Sequence, residues 1–424
     1  MHLLPSENFY YKNDEMYCEE IPIKKLAGEF GTPLFVYSKN FFVKRFKEFE
    51  KAFAEIDHTI FFASKANFNL NVMKIFYDLG SGIDVNSAGE LYRALKIGAD
   101  PKRIILTGVG KTKEEIKLGI ENEVLLIKAE SEGEIHLINK IAGEMGKVAP
   151  VAIRVNPNVD AKTHPYISTG LSENKFGVNS EEALDLFLRA SKLPNIKLTG
   201  IDMHIGSQIS QVLPYVEAVQ KMADLFFALK SKEIELQHFD IGGGMGVIYK
   251  DEKLFDPKEL ADVLIPIFKN LNCKIMFEPG RYLTANGGIL LAEVLYTKKN
   301  KNKNFIVVDA AMTELLRPSL YGAFHNIQPV KLNNSDEINA DIVGPVCETG
   351  DFLGKERTIQ NVEPGDYLAA MTTGAYGMAM SSNYNGRRRP PEIIVDSGKY
   401  FVARGRETYE HLIFDEDIVE SLHK

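Results

Sequence analysis

The sequence predicts an α/β fold: a parallel (β/α)8 barrel of the TIM type, followed by a mainly antiparallel β domain. Three observations carry this. Short apolar runs recur eight times between residues 59 and 277, amphipathic helical stretches separate most of them, and the long helical pattern stops after Arg281. Alternating strand and helix signals favour a parallel sheet, and eight similar repeats favour closure over an open, doubly wound sheet.

Taken in chain order, residues 39–54 place Phe41, Phe42, Phe46, Phe49 and Phe53 near helical spacing. The apolar runs then fall at 59–64, 82–85, 103–107, 123–127, 150–155, 198–203, 236–241 and 273–277. Between them, 87–97, 113–119, 130–142, 181–190, 214–229 and 257–270 read as amphipathic helices, with Ser87 and Ser180 as N-caps. Beyond Arg281 the segments 289–295, 304–308, 340–343, 367–370 and 392–395 are short, strand-like and punctuated by Gly, Pro and Asn, as in a β domain. The early run 33–37 could pair into that domain, which would make it discontinuous. The expected division is a barrel over 38–285 and a β domain from 1–37 with 286–424.

Composition narrows the function. The 58 acidic residues exceed the 50 basic ones, and the resulting charge of −8 argues against general nucleic-acid binding. Arg387-Arg388-Arg389 precedes Pro390-Pro391 and reads as a loop, and the lysine-rich stretch 298–303 reads as a solvated hairpin turn. Three cysteines (Cys18, Cys273 and Cys347) give no disulfide framework and fit a reducing cytoplasm. No basic segment leads into an apolar core at the N-terminus, and no apolar run reaches the roughly 18 residues of a membrane span, so neither export nor a membrane is expected.

In such a barrel the active site lies at the C-terminal ends of the strands. Lys65 follows the first apolar run, Asp84 ends the second, and Arg154 ends the fifth. His204 follows the sixth, Gly242-Gly243-Gly244 the seventh, and Glu278-Pro279-Gly280-Arg281 the eighth. A lysine at the mouth of a buried strand is expected to be desolvated, the state in which an amine attacks a carbonyl and forms a Schiff base. The bland reading is a lysine that snorkels into solvent. The glycine triplet would let backbone amides approach an anion, although on its own it more often marks a flexible turn. Glu278 needs a cationic or hydrogen-bonding partner: a pyridinium nitrogen would serve, and so would a structural salt bridge. His204 could stack on a flat ring or be a satisfied core histidine. In the β domain, Cys347 beside Glu348 and Asp351 could donate a proton or be a small buried hydrophobe. The segments 317–321 and 374–377 read as exposed loops with functional side chains. No metal is called for.

These residues carry a resemblance. Lys65-Ala66-Asn67, His204-Ile205-Gly206-Ser207, Asp240-Ile241-Gly242-Gly243-Gly244, Glu278-Pro279-Gly280-Arg281 and Cys347-Glu348-Thr349-Gly350-Asp351 stand in the order found in diaminopimelate decarboxylases. The chain resembles that family, within the alanine racemase and ornithine decarboxylase group, from about residue 30 to 415. The resemblance implies pyridoxal 5'-phosphate held by Lys65 as an imine, with Asp84 in the cofactor site. His204 would stack on the ring and Glu278 would pair with its nitrogen. Ser207, Gly242, Gly243, Gly244 and Tyr376 would line the phosphate region, and Gly280 and Arg281 would also bind the cofactor. Arg281, Arg317, Tyr321 and Tyr376 would meet the substrate, Glu348 its distal ammonium, and Cys347 would be the general acid. A homodimer sharing its active site across the interface is implied as well. Phe62 departs from the family, which often has tyrosine there.

The implied reaction is decarboxylation of meso-2,6-diaminopimelate to L-lysine and carbon dioxide. Racemases of the group place arginine at the ring nitrogen, so Glu278 disfavours them. Ornithine and carboxynorspermidine lack the distal head that Arg317 and Glu348 would read. A non-catalytic pyridoxal-phosphate carrier or a pseudoenzyme regulator would not need Cys347 and the β domain.

Overall fold

A computed structural model describes residues 7–161, 169–170, 174–301, 303–333 and 335–422. The chain divides into two compact units, one of Met1–Asn40 with Asn286–Lys424 and one of Phe41–Ala285.

The second unit is a closed barrel. Its strands are β1 (His58–Ala63), β2 (Gly82–Val85), β3 (Ile104–Leu106), β4 (Leu126–Ala129), β5 (Ala149–Asn156), β6 (Ile196–Asp202), β7 (His238–Asp240) and β8 (Lys274–Phe277). Each pairs in parallel with the next, and Phe277 of β8 returns to Ile60 of β1. These strands are covered on both faces, which is why they read as continuous apolar runs rather than as alternation. Phe61, Ile105, Leu126, Ala152 and Met276 form a core cluster contributed by five of the strands. Gly82 makes room for it, since a Cβ there would overlap the Phe61 ring.

The helices start where capping chemistry starts them. Ser87 Oγ accepts from Glu90 N at 3.3 Å, while Thr112 with Glu115 and Asp256 with Glu259 form capping boxes. Ser180 is not a cap: it is the first helical residue and Asn179 precedes it, without a side-chain cap bond. The helix Leu70–Asp78, absent from the sequence reading, is capped by Asn69 and stacks Phe76 on the fully buried Phe62 at 4.4 Å. Phe62 therefore packs in the core, where a tyrosine hydroxyl would need a partner.

The other unit centres on a sheet ordered Phe352–Gln360, Glu337–Val343, Lys303–Val308, Gly288–Asn300, Leu34–Ser38, Glu392–Asp396 and Lys399–Arg404. Tyr367–Ala370 branches from Gly288–Asn300 and carries Ile327–Pro329. Lys303–Val308 with Glu337–Val343, and Leu34–Ser38 with Glu392–Asp396, run parallel, while the other pairings are antiparallel. The lysine-rich stretch is not all turn, because the ladder runs on through Lys298↔Phe305 to Asn300↔Lys303. Leu34, Val36, Ile289, Leu291, Ala369, Ile393 and Val395 share a core with Cys18, Ile23 and Leu26 of the N-terminal hairpin and helix.

Candidate active site

In the barrel, β1 ends in a 3-10 turn, Ser64–Ala66, that carries Lys65. Its side chain is 39% exposed and its Nζ stands 3.8 Å from Asp84 Oδ2 at the end of β2. Lys65 is thus part-exposed on its turn, while its partner is fully buried. Asp84 is fully buried, its Oδ1 accepts from Thr107 Oγ1 at 2.6 Å, and its Oδ2 has no hydrogen-bond donor among the described residues. Burial, followed by the Glu278 charge, pushes the Asp84 carboxyl up to about 7 against the pull of Lys65 and Lys128. Gly280 sits against the Lys65 turn; a Cβ there would come within 2.9 Å of Ala66 Cβ and 3.1 Å of Ala63 Cβ.

The glycine loop after β7 is built from both sides. Asp240 Oδ1 accepts from Gly242 N at 2.8 Å, Glu278 N donates to Gly242 O at 2.8 Å, and Tyr215 Oη donates to Gly243 O at 2.8 Å. A Cβ on Gly243 would overlap the Glu278 carbonyl oxygen. Gly242 and Gly244 hold φ of 70° and 108°, which glycine adopts at least cost. Gly243 N donates to His204 Nδ1 at 3.3 Å, so this nitrogen keeps its lone pair. Burial, then the charges of Lys65, Arg154 and Lys128, hold the imidazole well below its ordinary pKa and therefore neutral. Arg281 is buried and donates from Nε and Nη2 to Ser207 Oγ at 3.2 and 2.9 Å, and from Nη1 to Tyr249 Oη at 2.6 Å.

Glu278 follows β8 and is buried. Its partner is Lys128 of β4, which the sequence reading passed over. Lys128 Nζ bonds Glu278 Oε1 and also lies 2.7 Å from both Asp202 Oδ1 and Asp240 Oδ2. Burial alone would raise the Glu278 carboxyl, but Lys128, Lys65 and Arg154 outweigh it and hold it below its ordinary value, as an anion. Arg154 of β5 pairs with Glu130 at 3.1 Å and approaches Asp202 at 4.0 Å. The clue to these residues was the one that singled out Lys65: Lys128, Asp202 and Asp240 are charges at the ends of apolar strands.

In the other unit, Arg317–Tyr321 is a short helix and Arg317 is buried, which corrects the expectation of an exposed loop. Arg317 Nη1 donates to His325 Nε2 at 2.7 Å, and His325 Nδ1 donates to the Met371 carbonyl at 2.9 Å. Tyr321, half-buried, ends the helix. Ser319 Oγ donates to Gly350 O at 2.6 Å, which ties this helix to the loop carrying Cys347 and Glu348. Asp351 closes that loop by accepting from Met312 N and Val346 N, each at 2.7 Å. Cys347 and Glu348 are exposed, and Glu348 Oε1 accepts from Tyr384 Oη at 2.6 Å. Gly374 and Ala375 are buried, so this segment too is less exposed than its sequence suggested, and Tyr376 holds a φ of 56°. An aromatic residue in that region is strained, a feature that clusters at functional sites.

Residues 40–285 match the family profile of the pyridoxal-dependent decarboxylase pyridoxal-binding domain. The chain is 47% identical over 416 residues to the diaminopimelate decarboxylase of Aquifex aeolicus, covering 97% of this chain and 99% of that one. It is 44% identical over 391 residues to that of Campylobacter jejuni, covering 92% and 97%. The fold is similar to the Helicobacter pylori diaminopimelate decarboxylase structure complexed with L-lysine, with a TM-score of 0.90, 40% identity and coverage of 95% and 100%. It is also similar to the M. jannaschii diaminopimelate decarboxylase in complex with L-lysine, with a TM-score of 0.93, 36% identity and coverage of 98% and 99%.

Proposed function

The chain belongs to the diaminopimelate decarboxylases, and on that premise we propose how its residues divide the work. The reaction is decarboxylation of meso-2,6-diaminopimelate to L-lysine and carbon dioxide, the last step of lysine biosynthesis, with pyridoxal 5'-phosphate as cofactor. One observation carries the assignment of the site: an amine, Lys65, and a carboxylate held anionic, Glu278, sit at the strand ends of one barrel beside a neutral imidazole and a glycine cradle.

The residues fit this cofactor. Its phosphate would find Ser207 and the amides of Gly242, Gly243 and Gly244, a region a side chain would fill, together with Gly280 and Tyr376. Its ring would lie against His204, with Glu278 at the nitrogen and Asp84, whose Oδ2 lacks a donor, nearby in the site. Lys65 Nζ would hold it covalently. Bound pyridoxal phosphate supplies the electron sink for the pair released with carbon dioxide. A carboxylate at the ring nitrogen keeps that nitrogen protonated. Arg281, Arg317 and Tyr321 would hold the distal carboxylate, Tyr376 would meet the substrate, and Glu348 would take the distal ammonium. Cys347 Sγ would donate the proton that replaces carbon dioxide.

The same reading includes a cytoplasmic homodimer in which Cys347 and Glu348 of one copy serve the barrel of the other. The exposed apolar side chains Phe414, Ile418 and Leu422 support burial against a second copy. Free cysteines support a reducing compartment. Among the described residues no helix is long and apolar enough to cross a membrane.

The test is lysine release from meso-diaminopimelate by protein loaded with pyridoxal phosphate. Lys65→Ala is expected to abolish both turnover and the cofactor's visible absorbance. Faster turnover of ornithine, or turnover surviving in Lys65→Ala, would sink the reading.

A further inference from the structure

We infer that Lys128 is a positioning residue for Glu278: its buried ammonium keeps that carboxylate ionised and aimed at the cofactor's ring nitrogen. The inference rests on the assignment of Glu278 proposed above.

The geometry is that of a complete site for one ammonium. Lys128 has three N–H donors and three carboxylates converge on them: Asp202 from β6, Asp240 from β7 and Glu278 after β8. Its side chain is 0% exposed. The same strand is braced from behind, where the buried Lys111 donates to the Lys128 carbonyl at 2.6 Å and pairs with Glu134 at 2.8 Å. Stability alone does not call for this arrangement. A buried ion cluster is commonly no better than apolar packing, and the neighbouring core positions Phe61, Ile105, Leu126 and Met276 are apolar. What apolar packing cannot do is hold one chosen carboxylate charged.

The charges around the cluster act in that sense. Burial pushes up the carboxyls of Asp202 and Asp240, and the Glu278 charge adds to it. Glu278 alone of the three is held below its ordinary value, with Lys128 the strongest opposing charge. The other groups facing it are Lys65 after β1, Asp84 on β2, Arg154 on β5 and the neutral His204 after β6. Lys128, Lys65 and Arg154 thus act together to keep the Glu278 carboxylate charged.

The experiment compares Lys128→Met, Glu278→Gln and the double variant as holoenzymes. Removing Lys128 raises the pKa of Glu278, so the carboxylate is lost at higher pH as the solution is acidified. The acid limb of the kcat profile is expected to move up by about one pH unit or more. The pH at which the cofactor's visible absorbance titrates is expected to move with it, with KM little changed. In the Glu278→Gln background, Lys128→Met should shift neither reading. If Lys128→Met does not fold, Lys128→Met/Asp202→Asn removes one charge of each sign and the same readings apply. The inference fails if Lys128→Met lowers only the melting temperature, or if its full effect persists in Glu278→Gln. If Glu278→Gln itself leaves absorbance and profile unchanged, the assignment of Glu278 falls, and the role of Lys128 falls with it.

Discussion

His325 shows how a single buried side chain can set the aim of another. Its Nδ1 donates to the Met371 carbonyl, so Nε2 keeps a lone pair, and that lone pair accepts from Arg317. The ring is therefore neutral and acts as a fixed stop for the guanidinium. His325→Phe keeps most of the volume and removes the acceptor. KM for meso-diaminopimelate is expected to rise about tenfold, the scale of one hydrogen bond to a charged group, with kcat near that of the parent. Steady-state kinetics checks this, and a fall in kcat at unchanged KM would count against Arg317 as a substrate contact. Glu314 gives a second prediction. It is buried, accepts from Ala311 N at 2.7 Å and from Thr313 Oγ1 at 2.9 Å, and burial pushes its carboxyl up to about 7. The folded state thus binds the Glu314 proton more tightly than the unfolded chain does. Its contribution is present in full below the unfolded pKa and is lost as pH rises through about 7, at up to about 1.4 kcal/mol per pH unit. Glu314→Gln keeps acceptor capacity without the charge. Its unfolding free energy, measured against the parent from pH 5 to 8, should decline less; parallel curves would show that Glu314 does not titrate in that range.

At the scale of elements, what was legible in the sequence follows from burial. Parallel barrel strands are buried on both faces, so Ile104-Ile105-Leu106 and its counterparts stand out as apolar runs. The helix Leu70–Asp78 did not stand out, because Asn67, Asn69 and Asn71 at its start read as loop, although Asn69 caps it. Lys128 is hidden for a related reason: a charge usually ends a buried strand, so the fourth apolar run reads as ending at Ile127. Here three carboxylates from distant positions pay for that charge, and no local pattern shows them. The turn after β1 that carries Lys65 is a further feature that periodicity does not reveal. The glycine loop, by contrast, was readable as chemistry, and its geometry supports a prediction. A Cβ on Gly243 would overlap the Glu278 carbonyl oxygen, backbone that can yield only by displacing one strand end from the next. Gly243→Ala is expected to cost about 1–3 kcal/mol of stability and to weaken cofactor binding in an absorbance titration. Unchanged binding would remove this loop from the phosphate site.

At the scale of the whole molecule, the proposed chemistry is divided between residues of the barrel and residues of the β unit, Lys65 and Glu278 in the one and Cys347 and Glu348 in the other. Cys347 and Glu348 are exposed on a loop that Asp351 and Ser319 hold in shape, the condition expected of groups that serve a surface other than their own. If the site is shared between copies, Lys65→Ala and Cys347→Ala should each be inactive alone and complement each other when mixed. Random reassortment places half the subunit pairs in mixed dimers, and each mixed dimer has one site with both wild-type residues. Mixing the two variants under exchange conditions should therefore restore about one quarter of the parent activity. If both residues of a site came from the same chain, no mixed dimer would hold an intact site, and activity would stay at the level of the separate variants. Measuring turnover against mixing ratio distinguishes the two, because shared sites predict a maximum at equal amounts and unshared sites predict a flat line.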